Sequence, residues 1–290
     1  MPVETSFAGR LVRVMRSKPL GALGGGLILV LVLTAILAPM LAPYDPVKIK
    51  SADRLQAPSV SHWLGTDDFG RDILSRVIYG ARVSMLLGLG AVAISTLLAT
   101  IIGILSGYYG GRVDTVLQRC IDTLMAFPGF VVLLTIMAML GQGLGNVVLA
   151  LGIGGTAGNA RIIRSAVLAV RENQYVEVAR ATGCQDWQII ARHILPNIAA
   201  PIMVVVTLGL GVAILAESSL SFLGFGVPPP TPSWGAMLSG SGRTYMLQAP
   251  WMAVFPGIAI SLAVFGFNMM GDALRDLLDP KLRGGPQGRA

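Results

Sequence analysis

Charge is what this sequence has least of. Only 13% of its 290 residues are Asp, Glu, Lys or Arg, about half the share of a soluble globular domain. Cysteine is nearly absent: Cys120 and Cys184 stand far apart, match no metal or redox spacing and read as free thiols. His62 and His193 are the only histidines, and neither has a Cys or acidic neighbour at ligand spacing, which leaves no metal site. No Lys follows a Gly, so there is no GxxxxGK[ST] phosphate loop and no ATP site of that kind. The serine-hydrolase elbow GxSxG is missing as well. The net charge of +7 comes without a basic run interleaved with aromatics, which argues against nucleic acid as a partner.

What is present is apolar. Hydrophobic residues make up 53% of the chain and the mean hydropathy is +0.69, the composition of an integral membrane protein, because a charge at the bilayer centre costs several kcal/mol. The 36 Gly and 17 Pro show no repeat and fit membrane helices, which carry both more often than soluble ones. Two GxGxxA patterns, Gly88-Gly90-Ala93 and Gly152-Gly154-Ala157, lie inside apolar runs and not after a soluble strand, so a dinucleotide site is excluded. Gly21/Gly25, Gly103/Gly107 and Gly107/Gly111 have the GxxxG spacing that lets membrane helices approach closely.

About 20 apolar residues carry a helix across the hydrocarbon core. Five charge-free intervals meet that length: Pro19 to Tyr44, Val83 to Gly111, Thr123 to Ala160, Ile194 to Ala216 and Thr244 to Gly271. The third is too long for one span and is divided by the turn-type cluster GQGLGN, Gly141 to Asn146. Its second half then runs past Arg161 and Arg164, near one membrane face. An all-α protein with six transmembrane helices results. With the N-terminus inside, fifteen of the 22 Lys and Arg fall on the cytoplasmic side, so the positive-inside rule places both termini there. The 23 uncharged residues from Leu20 to Ala42 exceed a signal-peptide h-region and read as a retained helix.

Polar groups at membrane depth are few. Asn159, Asn268 and Glu217 are the candidates for a gate or pathway. Glu217 is expected at the end of the fifth span, near the outer interface, bonded to Ser218 or Ser219. The longest polar stretch assigned to the cytoplasmic side is RENQYVEVARATGCQDWQIIAR, Arg171 to Arg192. It predicts a helix–turn–helix: Asn173 as N-cap, a helix over about Gln174 to Thr182, Gly183 as left-handed terminator, and a second helix from about Asp186 to Ile194 before Pro196 and Pro201. Val176, Ala179, Arg180 and Gly183 would form a small-residue face open to another protein, and Glu177 and Arg180 are spaced to pair.

Glu177, Ala179, Gly183, Leu195 and Pro196 resemble the EAA signature, EAA-x3-G-x9-I-x-LP, of ABC importer permeases, with Val178 in the second motif position and His193 in the Ile position. HWLGTDDFGRDILSRVIYGARVS (His62 to Ser84), ESSLSFLGFGVPPPTPSWGAML (Glu217 to Leu238) and GDALRDLLDPKLR (Gly271 to Arg283) look like the C-type permease subunit of dipeptide, oligopeptide and nickel importers. The resemblance implies a type I ABC importer permease fold. Its divisions are an N-terminal arm (1–19), a first helix (20–42), an extracytoplasmic loop (43–81), a transmembrane domain (82–272) whose coupling loop is 171–196, and a C-terminal tail (273–290).

It also implies a bacterial inner-membrane location, a homologous second permease as heterodimer partner, two ATPase subunits that hold the ATP and Mg, and an extracytoplasmic substrate-binding protein delivering peptides. No catalysis and no cofactor are expected in this chain. A secondary transporter would instead predict buried ionisable residues and inverted repeats; a membrane assembly factor would need no coupling loop. In the outer segments, Arg71 and Asp72 are placed to pair locally. Pro228, Pro229, Pro230 and Pro232 predict a stiff polyproline II stretch, and Asp272, Arg275, Asp276 and Asp279 predict a C-terminal helix tied to its neighbours.

Overall fold

The computed structural model describes residues 18–278. Arg10, Arg13 and Arg16 of the N-terminal arm, and Asp279, Lys281, Arg283 and Arg289 of the tail, lie outside the described residues. Within them the chain is helical, with one isolated bridge between Thr66 and Asp72. The helices are α1 (Pro19–Ile36), α2 (Ala38–Leu41), α3 (Ile73–Tyr109), α4 (Gly111–Met125), α5 (Gly129–Leu140), α6 (Leu144–Arg171), α7 (Gln174–Ala181), α8 (Asp186–Ile189), α9 (Ala199–Phe222), α10 (Trp234–Leu238), α11 (Ser241–Thr244) and α12 (Trp251–Leu278).

Four of these, α1, α3, α9 and α12, are long and apolar enough to cross a membrane alone, and α4 with α5 form a pair bent by 89° that adds a fifth candidate. Helix α6 has the length, at 28 residues, but its glycines, Asn159, Arg161 and Arg164 keep it out of that group. Packing supplies what composition does not: α6 lies along α3. Gly103 and Gly107 of α3 make the contact possible, since a Cβ on either would meet Ile163 Cγ2 at 2.8 Å or Val167 Cβ at 2.9 Å. Of the Gly21/Gly25 pair, only Gly21 meets a neighbouring helix. Gly21 and Gly24 face α12, where a Cβ on Gly24 would meet Met269 Cβ at 2.7 Å, while Gly25 and Gly111 face open space.

The ends of the helices fix the direction of travel. Lys18, just before α1, pairs with Asp276 near the end of α12 at 2.6 Å. Arg171, ending α6, donates to the carbonyls of Gly107 and Tyr108 at the end of α3. Gln142, between α5 and α6, donates to Gly224 O just beyond α9. The starts of α1, α4 and α9 and the ends of α3, α6 and α12 therefore share one end of the bundle, called the loop end. Among the described residues the chain passes between the two ends of the bundle six times, with α4 and α5 counted as one passage, and four of these passages, or five with the bent pair, have the length and apolarity of a membrane span.

Two boundaries differ from expectation. Helix α3 begins at Ile73, nine residues before the division at residue 82, because Asp72 caps it: its Oδ2 accepts from Ser75 N at 2.8 Å and Ser75 Oγ at 2.7 Å. A carboxylate aimed at free first-turn N–H groups is a strong start signal. The first half of the third apolar interval is not an upright helix from Thr123. Its polar lead, α4, lies against α6 through Arg164–Asp114 at 2.5 Å and an Arg161–Asp122 pair. The chain turns at Pro128, and only the twelve residues of α5 descend.

Between the far ends, residues 43–72 and 223–250 knit together. Ser241 Oγ donates to Asp68 Oδ2 at 2.6 Å, Arg54 Nη2 to Tyr245 Oη at 2.8 Å, and Trp251 Nε1 to Thr66 O at 3.1 Å. Arg71 pairs with Asp67 at 2.6 Å and not with Asp72. Asp72 binds His62 Nδ1 at 2.9 Å, so a histidine isolated in sequence is buried beside two aspartates, Asp72 and Asp53. Among the described residues no group of His, Cys, Asp and Glu could hold a metal. Pro229 and Pro230 form a turn, not an extended polyproline II run. Both cysteines are free.

Candidate functional site: the coupling loop and the membrane cavity

Residues 171–196 fold as two short helices packed flat on the loop end. Gly183 ends the first with φ +85, as a left-handed terminator must. Asn173 holds the N-cap position without capping α7; its Nδ2 donates back to the carbonyls of Ala169 and Val170, closing α6. The second helix is capped by a reciprocal Gln185/Gln188 box and passes into a π-helical turn, Ile190–Ile194. That turn adds one residue to the helical count. Within it Ile194 is fully buried and His193 half-buried.

The face turned to the bundle is the small-residue one that was expected to be open to a partner. Val176 and Ala179 are buried with Tyr108, Ile121, Ile163 and Ile189 in a core shared with α3, α4 and α6. The exposed face carries Tyr175, Val178 at 60% and Trp187 at 61% exposure, a large unpartnered apolar area for a loop outside the membrane spans. The small residues let α7 sit close to its own protein; the larger ones are presented outward.

Polar ties hold the loop in register. Tyr108 Oη donates to Asp186 Oδ1 at 2.8 Å. The Arg180 guanidinium stacks over the Tyr108 ring at 5.7 Å, and its hydrogen bond to the Tyr108 hydroxyl holds its pKa above the ordinary arginine value. Arg180 thus pairs with Tyr108, and Glu177 does not pair with it. Glu177 instead lines a polar hollow of about 570 Å³ with Tyr108, Tyr109, Arg171 and Asp186. Leu195 and Pro196 are exposed where the π turn hands over to α9.

Residues of α3, α5, α6, α9 and α12 line an open-sided cavity of about 850 Å³. Its wall is apolar except for Ser95, Asn159, Asn197 and Arg275. Asn159 Nδ2 donates to Ser95 Oγ at 3.0 Å, which places this candidate on the cavity wall. Asn268 is not among the lining residues; its Oδ1 lies against Gly211, between α9 and α12. Glu217 also lies off the cavity, near the far end of α9. It is fully buried and accepts from Ser221 Oγ at 2.7 Å, Ser84 Oγ at 3.4 Å and Ser218 Oγ at 3.5 Å, with Ser233 a further partner. Of the two neighbours expected to bind it, Ser218 does, whereas Ser219 donates to Leu215 O. This cage joins α3, α9 and the N-cap of α10. Its Ser84 and Ser233 had no sequence signal beyond being hydroxyls, since they lie 133 and 16 positions from Glu217.

The family described as binding-protein-dependent transport system inner membrane component matches residues 99–284, a segment that includes the loop 171–196, Glu217 and the cavity lining other than Ala91, Val92 and Ser95. The chain belongs to that family. The N-terminal transmembrane domain of oligopeptide transport permease C matches residues 6–58. A dipeptide transport system permease protein of Alkalihalophilus pseudofirmus is 45% identical over 89% of this chain and 85% of its own. A glutathione transport system permease protein of Pectobacterium atrosepticum is 43% identical over 90% and 87%. A probable D,D-dipeptide transport system permease protein of Escherichia coli is 40% identical over 97% and 94%. Among solved structures, the MetNI methionine ABC transporter in an inward-facing form matches with a TM-score of 0.59 and 14% identity, covering 71% of this chain and 98% of that one. The chain is thus an ABC importer permease with the type I fold. A permease of this family works in a complex with an ATPase and a substrate-binding protein.

Proposed function

We propose that this chain forms half of a translocation pathway for di- or oligopeptides in a bacterial inner membrane. It pairs with a homologous second permease, takes peptides from an extracytoplasmic binding protein, and is driven by two ATPase subunits that hold the ATP and Mg. The chain itself catalyses nothing. The names of the relatives support peptides as the substrate class, and the cavity is suited to them: apolar walls accept varied side chains, and Ser95, Asn159 and Asn197 offer amide-matching hydrogen bonds. The excess of Lys and Arg on the loop side supports a cytoplasmic loop end.

The observation that carries this reading is the two-faced coupling loop, rigidly anchored by Val176, Ala179, Tyr108 and Arg171 while Tyr175, Val178 and Trp187 point away. An element fixed to the ends of α3 and α6 transmits a push from an ATPase into rigid-body movement of the helices around the cavity. Glu177, Gly183, Leu195 and Pro196 shape the loop and its exit, and Glu217 holds the far end of α3 to α9.

The test is uptake of labelled dipeptide by vesicles holding the assembled transporter. Uptake should require ATP and a binding protein and should be lost in Val178→Asp. Uptake that follows a proton gradient without ATP identifies a secondary transporter instead. Uptake unaffected by deleting the loop points to an assembly factor.

A further inference from the structure

A second cavity lies on the outside of the bundle, away from the pathway. It is a groove of about 870 Å³ between α1, α3 and α6, lined by Val32 and Ile36, Leu86 and Leu89, Leu144 and Val148, and one charged residue, Arg82. Three independent markers place Arg82 at the edge of the apolar layer on the far side. It is the last charge before the charge-free run Val83 to Gly111; the groove uses the last turns of α1; and it uses the first turn of α6. From Arg82 the groove continues along α3 to Gly90, about 12 Å deeper at 1.5 Å per residue.

Arg82 is exposed and makes no ion pair or hydrogen bond among the described residues. The other arginines flanking it in α3 and its lead are committed: Arg71 to Asp67, Arg76 to Asp67 and Pro46 O. A guanidinium left free at the mouth of an apolar slot matches one kind of molecule, a phosphate diester carrying long hydrocarbon chains. Guanidinium binds phosphate through two parallel N–H···O contacts, and the slot takes a chain where side chains alone leave a gap. We propose that this groove is a binding site for an anionic glycerophospholipid of the outer leaflet, its phosphate on Arg82 and one acyl chain between α1, α3 and α6. Because the groove joins α1 to the α3/α6 pair, a bound chain would fill the space between the first helix and the transmembrane domain.

The test uses the complete transporter in vesicles that contain either phosphatidylglycerol or phosphatidylcholine with a photoactivatable group in the acyl chain. Cross-linked peptides are mapped after irradiation. Phosphatidylglycerol should label Leu86, Leu89 or Val148 about fivefold more than phosphatidylcholine, the factor expected of one basic residue at a membrane surface. Arg82→Gln should remove that preference and Arg82→Lys should keep most of it. Gly145→Leu gives a second handle, because a Cβ there meets nothing within 4 Å; it should lower labelling by both lipids at the groove and nowhere else. Equal labelling by the two lipids overturns the proposal, as does a groove that yields no lipid adduct because the second permease covers it.

Discussion

At the scale of single residues, the group that changes most between sequence and structure is Glu217. Position alone puts it near the end of the fifth span, where water is close. Its burial follows from hydroxyls that α3 and the start of α10 bring from elsewhere, and no local pattern reports that. Removing the carboxylate leaves buried hydroxyls unpartnered, each at about 1–3 kcal/mol. Glu217→Ala should therefore destabilise the purified protein by about 2–4 kcal/mol in denaturant unfolding in detergent, and Glu217→Gln, which keeps an acceptor of the same shape, by about 1 kcal/mol. Equal losses for the two variants mean that the cage matters through volume and not through hydrogen bonding. Tyr108 gives a different test. Tyr108→Phe deletes the hydroxyl that meets Asp186 and Arg180 and keeps the ring in its core, a loss of about 0.5–1.5 kcal/mol in stability. Its expected effect is on coupling: ATP hydrolysis by the assembled transporter continues while the number of peptides moved per ATP falls. An unchanged ratio removes Tyr108 from the transmission path.

Elements were legible where one signal dominates. The N-cap and terminator positions at Asn173 and Gly183 bracket α7 within a residue, and the GQGLGN break falls between α5 and α6. The elbow before Pro128 was hidden because Thr123 to Leu140 is uncharged throughout, so hydropathy alone sees one helix where backbone geometry makes two. The early start of α3 was hidden for the opposite reason: Arg76 and Arg82 made its first nine residues look like loop. The orientation of α7 could not be read from composition, since small residues suit contact with either the chain's own core or a partner. Variants on the two faces separate the roles. Val178→Asp should leave the fold intact and lower recovery of the ATPase in co-purification by about tenfold or more, as truncated hot spots do. Val176→Asp places an unpaired charge in the core under the loop and should cost about 3 kcal/mol or more in stability. Gly183→Ala should cost about 1–2 kcal/mol, because its positive φ disfavours a Cβ although space is free around it.

For the whole molecule, the count of crossings decides which surfaces meet which partners, and here chemistry and geometry give independent answers. Charge-free intervals yield six spans once the third is divided. The Lys18–Asp276 pair yields an even number without any appeal to hydropathy, because the chain enters and leaves the described bundle at the same end. Val60, 95% exposed in the segment before α3, belongs to the other end. In a background with Cys120 and Cys184 changed to Ser, a single cysteine at Lys18, Asp276 or Val60 can be probed with a membrane-impermeant maleimide on intact cells and on inverted vesicles. Val60→Cys should react on intact cells, and Lys18→Cys and Asp276→Cys only on inverted vesicles. Together, Lys18→Cys and Asp276→Cys should cross-link with a short bifunctional maleimide. Opposite labelling of Lys18→Cys and Asp276→Cys means an odd number of crossings. It would place the coupling loop and one end of the chain on different sides, and the mechanical link from ATPase to cavity would have to be redrawn.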